Sequence, residues 1–306
     1  MKKKILLWLK AIRAPFFSAT IMSAVVGSSL AFKDSSFNWL YLLLSIIIIA
    51  GTNCGINLVN DYYDHKNKAD DINMLYTPFS GGSRVIQDKQ LKPSRVLAAG
   101  ITSFALVAIL GIILSIVANI YLLWFGLAGI ALGFFYSANP FRLVYRGWGE
   151  AVIFLLVGPV SVIGTYFLQT SSITLESILV SIPVGFLTAN ILLINEFPDY
   201  ASDKQAGKNQ LVVIIGRKKA RYIYLALTAA IYVSVIIPVI LSLLSPFLLV
   251  VLLGIPLAVW ASYTAFKYHS NPEKILPAQA NTILLTLIST ALISLGLILQ
   301  KLVYPL

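Results

Sequence analysis

Apolar residues in this chain come in long unbroken blocks. Nine segments, roughly 15–32, 38–59, 97–118, 120–138, 150–168, 173–196, 221–240, 242–265 and 279–299, are dominated by Leu, Ile, Val, Ala and Phe. Each runs for about 17 to 25 residues, enough for a helix to cross ~30 Å of hydrocarbon, whereas a barrel strand would need half that length. The pattern predicts an all-α integral membrane protein with nine transmembrane helices, the border between the third and fourth lying at Asn119. The start, MKKKILLWLKAIRAP, has only a five-residue apolar run before Lys10 and Arg13. It is read as an amphipathic lead-in lying at the membrane interface, with no cleavage expected.

Composition agrees with the blocks. A chain of 306 residues that is 58% apolar and 11% charged, with a mean hydropathy of +0.85, holds more apolar surface than one soluble core can hide. The net charge of +11 could suggest nucleic acid, but its distribution suggests membrane topology. With the N-terminus inside, 21 of the 23 Lys and Arg residues fall in the N-terminus and in, or at the edge of, the loops 60–96, 139–149, 197–220 and 266–278. Only Lys33 and Lys301 lie on the other side. Basic residues accumulate on the cytoplasmic face, so the N-terminus is expected in the cytoplasm, the chain in the plasma membrane among its lipids, and no nucleic-acid partner is expected. A single cysteine, Cys54, excludes a disulfide within the chain and is read as a structural residue.

The same face carries the unusual acids. Asn57, Asp61 and Asp64 in NLVNDYYD, and Asn195, Asp199 and Asp203 in NEFPDYASD, are spaced to share one face of a helix each. Carboxylates at a bilayer edge are costly unless they bind something or face a polar cavity. Carboxylate and amide oxygens are the ligands Mg²⁺ prefers, with substrate phosphates completing its shell. Either stripe alone is equally read as a set of helix caps. Two on one face with a shared Asn-x3-Asp spacing favour metal binding by Asn57, Asp61, Asp64, Asn195, Asp199 and Asp203. Asn57 to Asn195 and Asp61 to Asp199 are each separated by 138 positions (195 minus 57, 199 minus 61). This offset suggests a single domain over 1–306 built from two related units, 13–138 and 150–265, with a ninth helix, 279–299, appended.

Three further segments carry candidate chemistry. Ser80-Gly81-Gly82-Ser83-Arg84 offers flexible backbone followed by a cation suited to phosphate, with Asp70 and Asp71 close by. Lys208 plays the matching part after the second stripe, although no P-loop pattern is present. YSANPFRLVYRGWGE places Tyr136, Asn139, Arg142, Tyr145, Arg146 and Glu150 between the fourth and fifth spans. Its arginines are read either as plain inside charges or, beside two aromatic rings, as part of a site where positive charge develops on carbon. His65 and His269 are too far apart for a zinc site and are read as loop residues.

Taken together these motifs resemble the UbiA superfamily of intramembrane aromatic prenyltransferases, and within it the naphthoate branch of menaquinone biosynthesis. NLVNDYYDHKNKAD and NEFPDYASDKQAGKNQLVVIIG resemble the family's two aspartate-rich motifs, and TPFSGGSRVI, YSANPFRLVYRGWGE and IRAPFF resemble that branch. The likeness covers effectively the whole chain. Two departures stand out: Lys68 occupies a position where the superfamily often has an acid, which here comes at Asp70. Glu196-Phe197-Pro198 precedes Asp199 where the branch often has Asn-x-x-Arg-Asp.

The resemblance implies a UbiA-like bundle whose active site faces the cytoplasm. It implies Mg²⁺ held by the two stripes, a polyprenyl diphosphate donor and an aromatic acceptor, 1,4-dihydroxy-2-naphthoate, whose carboxyl is lost as CO₂ to give demethylmenaquinone. Catalysis would fall to Asp61, Asp64, Asp199, Asp203, Arg84, Lys208 and Tyr136. The substrates would contact Arg13, Asn57, Asn60, Ser83, Arg84, Asn139, Arg142, Tyr145, Arg146, Asn195 and Lys208. Other acceptors (4-hydroxybenzoate, a chlorophyll-type ring, a glyceryl phosphate ether) keep the same chemistry, and a secondary transporter is the remaining class.

Overall fold

The computed structural model describes residues 2–304, and among these every regular element is a helix. The lead-in forms α1, Lys2–Ala11, followed by a turn at Ala14–Phe16. The apolar blocks form α2 (Phe17–Lys33), α3 (Trp39–Lys66), α4 (Pro93–Val117), α5 (Leu122–Phe135), α6 (Gly149–Thr170), α7 (Leu175–Gln205), α8 (Arg217–Ile240), α9 (Pro246–Tyr268) and α10 (Leu276–Val303). From α2 onward each packs on the next, and α10 returns against α2 to close the bundle.

Local sequence sets several of these boundaries. Asn38 caps α3 by accepting from the backbone N–H groups of Leu40 and Tyr41, and Thr174 with Ser177 forms a reciprocal capping box on α7. In α6 the residues Leu156–Ile163 widen into a π-helix around Pro159, which has no N–H to donate. There α6 and α7 cross closely: a Cβ on Gly158 would lie 2.7 Å from the Ser181 carbonyl oxygen and 2.8 Å from the Gly185 Cα. α10 buries a ladder of Thr282, Thr286, Thr290 and Ser294, whose hydroxyls donate to carbonyls one turn earlier at 2.6 to 3.0 Å. Such side chains satisfy themselves and leave room for close helix approach where no water is available. Large side chains such as Ile109, Ile116, Trp124 and Trp260 face outward, as a lipid-exposed surface allows.

Eight of the nine apolar helices are long enough to cross a membrane. The expected fourth span, 120–138, differs: α5 has 14 residues, or ~21 Å at 1.5 Å per residue. At one end Asn119 accepts from the Tyr121 N–H at 3.1 Å and turns the chain. At the other, Pro140 keeps the preceding residue out of helix. Conversely, α3 and α7 outlast their expected spans. At 28 and 31 residues they reach ~42 and ~46 Å, well beyond a hydrocarbon core. Both acidic stripes therefore ride on regular helix that projects past the apolar zone. Lys33 and Lys301, predicted to share the opposite side, sit together at the far end of the bundle. There Lys33 pairs with Asp34 and Glu176, while Lys301 donates to Ser35.

Candidate active site

The two stripes meet. Asp61 and Asp64 project from the last turns of α3, and Asp199 and Asp203 from those of α7. Lys208, just beyond α7, bridges the helices, with its Nζ 2.9 Å from Asp64 Oδ2 and 3.8 Å from Asp203 Oδ1. Tyr145 donates to the other oxygen of Asp64 at 2.6 Å and receives a hydrogen bond from Asn67 at 3.2 Å. Arg13 pairs with Asp61 and donates to Asn60 Oδ1 at 3.2 Å. To do so Arg13 adopts a left-handed backbone (φ 54°), a conformation that a non-glycine residue holds only when its surroundings over-determine it.

The 67–92 loop folds back over the acids. Asp199 accepts from Asn73 Nδ2 at 2.8 Å and from the Gly81 N–H at 3.0 Å, while Asp61 accepts from the Ser83 hydroxyl and from its N–H at 3.4 Å. Gly82 is required twice over. Its φ of +75° belongs to the left-handed region, and a Cβ there would fall 2.1 Å from Asp70 Oδ2. The glycine pair thus lets the loop lie directly on the carboxylates.

Beneath this mouth lies a cavity of about 300 Å³. Its upper wall carries Arg13, Asn57, Asn60, Asp64, Asp70, Tyr136, Asn195, Asp199 and Lys208, and its deeper wall is apolar, formed by α3, α4, α5 and α6. Gly111 and Gly126 border the deep part, where an added Cβ would meet nothing within 4 Å.

The mouth is densely acidic. Asp61, Asp64, Asp70 and Asp203 are buried and Asp199 is half-buried, and among the described residues the ion pairs to this cluster come from Arg13 and Lys208, fewer than the carboxyl groups gathered there. Burial, followed by the charge on Asp64, raises the Asp70 carboxyl well above the usual carboxylate range. Burial opposes the ammonium form of Lys208, but Asp203 and Asp64 outweigh it and raise the group well above the usual lysine range. One oxygen each of Asp70 and Asp203 is buried without a partner. Among the described residues no three His, Cys, Asp or Glu side chains form a ready-made metal cage. An all-oxygen donor set with surplus charge and free oxygens suits Mg²⁺, which takes one or two carboxylates and completes its shell with water and substrate phosphate.

Not every expected residue points here. Asn57 lines the cavity while donating to the Ile12 carbonyl at 2.9 Å, and Asn195 lines it while accepting from Gln279 at 2.9 Å. Arg84 instead donates to the carbonyls of Asp70 and Asn73 and stacks 4.6 Å from the Tyr76 ring centroid, so it braces the loop from behind. Arg142 stacks on Tyr145 at 4.1 Å, whereas Asn139 and Arg146 are exposed, Arg146 donating to the Pro140 carbonyl at 3.2 Å. Sequence reasoning missed Asn73, Glu196 and Gln210 as site residues. Glu196 was visible as an acid within an apolar span; Asn73 and Gln210 lie in loops whose path no periodicity reveals.

Comparison with known proteins agrees with this geometry. Residues 20–285 match the UbiA prenyltransferase family. The 1,4-dihydroxy-2-naphthoate octaprenyltransferase of Bacillus subtilis (strain 168) is 29% identical over 295 residues, covering 96% of this chain and 93% of its own. The enzyme of the same description from Mycobacterium tuberculosis is 28% identical over 255 residues, covering 83% and 84%. Among solved structures, an apo UbiA homologue from Aeropyrum pernix K1 superposes with a TM-score of 0.67 at 18% identity, covering 94% of this chain and 98% of that one. A homologue from Archaeoglobus fulgidus bound to DMAPP and Mg²⁺ gives 0.58 at 15% identity, covering 94% and 99%. With two aspartate stripes facing each other above an apolar cavity, and a family match over most of its length, the chain belongs to the UbiA prenyltransferase family of membrane enzymes.

Proposed function

We infer that the protein transfers a polyprenyl group from polyprenyl diphosphate to 1,4-dihydroxy-2-naphthoate. The allylic C–O bond of the donor breaks and a C–C bond to the ring forms. The ring carboxyl leaves as CO₂ and its proton passes to diphosphate, which yields demethylmenaquinone in its diol form. One observation carries the reading: a strongly acidic mouth opens directly into an apolar cavity, so a charged diphosphate head and a lipid tail have adjoining places. The relatives named for naphthoate prenylation support the choice of acceptor.

Mg²⁺ held by Asp61, Asp64, Asp199 and Asp203, with Asn57 and Asn195 nearby, would neutralise the charge that builds on the departing diphosphate. The chain's own residues prepare that event. Lys208 and Arg13 add fixed positive charge, most valuable where negative charge grows in the transition state. Tyr145 and Asn73 hold Asp64 and Asp199 in place, and the loop carrying Gly81 and Gly82 covers the head group and limits water. Tyr136, on the cavity wall, offers a ring face to the allylic carbon as positive charge develops there.

The clustering of basic residues on the acid-bearing side supports a cytoplasmic mouth and N-terminus in the plasma membrane, with all nine helices contributing to the membrane bundle. The matched spacing of the two stripes supports an origin in two related units. Carboxyl-labelled dihydroxynaphthoate tests the reaction: one labelled CO₂ should be released per prenyl group transferred. Transfer with the label retained in the product would overturn the decarboxylating reaction.

A further inference from the structure

Behind the 67–92 loop lies a second cavity that takes no part in the steps above. It is a groove of about 570 Å³, lined by His65 and Asp71 at the start of the loop and by Arg84, Lys89 and Lys92 at its end. Charge there is lopsided. Asp71 is paired with His65 at 3.0 Å, and among the described residues none of Arg84, Lys89 and Lys92 forms an ion pair. Arg84 gives its terminal nitrogen to backbone carbonyls, which are neutral. Cations gathered in one groove without a counter-charge of their own attract an anion.

Position selects which anion. α1 lies against this part of the loop: its Leu7, Trp8 and Ala11 pack in one cluster with Ile86 and Leu91, and Lys10 pairs with Asp88 at 3.1 Å. Another face of α1 leaves Ile5, Leu6 and Leu9 exposed by 54, 66 and 43%. Three exposed apolar side chains on one face of a short helix belong at the boundary between headgroups and acyl chains, which puts the neighbouring groove at headgroup level. Anionic headgroups at such a surface attract lysine and arginine. Ile86 and Leu91 also line the groove, and apolar walls beside cations suit a lipid while offering nothing to free phosphate. We propose that this groove binds the phosphate headgroup of an anionic phospholipid, and that the bound headgroup ties the end of the covering loop to its start. Such a lipid acts from the back of the loop, away from the acids on its front, and keeps Gly81 and Gly82 seated whatever the acceptor.

The test is native mass spectrometry of the full-length protein in a neutral detergent, titrated in separate arms with phosphatidylglycerol, phosphatidylcholine and inorganic phosphate. Wild type should bind phosphatidylglycerol at least about tenfold more tightly than either of the others. K89A/K92A should weaken that binding at least about tenfold. K218A/K219A removes the same charge from exposed positions at the start of α8 and should leave it unchanged. All four lysines are exposed, so the Tm of both double variants should stay at the wild-type value. Saturating phosphatidylglycerol should slow chymotryptic cleavage within residues 67–92 in wild type and not in K89A/K92A. Full affinity in K89A/K92A, or equal losses in the two double variants, would mean diffuse attraction and overturn the site. Inorganic phosphate or phosphatidylcholine binding as tightly as phosphatidylglycerol would overturn the anionic-headgroup assignment. Tight phosphatidylglycerol binding without slower cleavage would overturn the hold on the loop.

Discussion

At the scale of single residues, the account turns on how few groups hold the acids in place. Asp61 is fixed by Arg13 and Ser83, Asp64 by Tyr145 and Lys208, and Asp199 by Asn73 and Gly81. Asp61→Asn or Asp199→Asn is isosteric, so the fold should survive while divalent-cation binding is lost. Turnover with saturating Mg²⁺ should fall at least ~1,000-fold, equivalent to ~4 kcal/mol of transition-state stabilisation, with Tm in detergent little changed. Near wild-type turnover in either variant would remove the metal assignment. Gly82→Ala is predicted to fail by geometry. A Cβ on this left-handed backbone is strained by ~1–3 kcal/mol and displaces the Asp70 carboxylate, whose Oδ2 would lie 2.1 Å away, so the packing of the loop on the acids should loosen. Limited proteolysis should then cut within residues 67–92 faster than in wild type. Unchanged cleavage and unchanged turnover would contradict the description of this loop as a cover.

At the scale of elements, the same physics explains what could be read in advance. The acids of α3 and α7 were legible because a helix repeats every 3.6 residues and Asn57, Asp61 and Asp64 fall on one face whatever the tertiary structure. That Asn73 and Gly81 reach across to Asp199 was not, since loop paths depend on where two separate helices end. Arg84 illustrates the limit. Its sequence neighbourhood suggested a phosphate ligand, but its left-handed backbone (φ 65°) points the guanidinium at loop carbonyls. The short α5 escaped for a related reason: hydropathy continued through Asn119 and Tyr136, while a capping turn and Pro140 ended the helix. Two element-scale tests follow. Where α6 crosses α7, Gly158→Leu should lower the Tm in detergent by overpacking, typically ~1–3 kcal/mol, because its Cβ would sit 2.7 Å from a carbonyl oxygen. An unchanged Tm would mean the crossing is looser than described. In the deep cavity, Gly126→Phe fills open space. It should spare transfer from geranyl diphosphate while reducing kcat/KM for an eight-isoprene donor at least about tenfold, a result consistent with lost tail contacts. Equal effects on both donors would place the tail elsewhere.

At the scale of the whole molecule, the fold solves a problem of phase. A prenyl donor has a head that belongs in water and a tail that belongs in lipid, and the bundle places a polar mouth and an apolar cavity end to end. α3 and α7 achieve this by extending past the hydrocarbon, which lets carboxylates sit on rigid helix without being buried in the bilayer. The mouth gathers more carboxyl groups than the two cations, Arg13 and Lys208, that pair with them, and the proposed role of Mg²⁺ rests on that imbalance. The most direct test is to reconstitute purified protein in liposomes with 1,4-dihydroxy-2-naphthoate and a polyprenyl diphosphate, and to measure products by mass spectrometry with Mg²⁺, with EDTA, and with Mg²⁺ restored. The account predicts a prenylated, decarboxylated naphthalenediol that forms only when Mg²⁺ is present and returns when it is restored. Product formation that persists in EDTA, or its complete absence from protein with an intact melting transition, would contradict it.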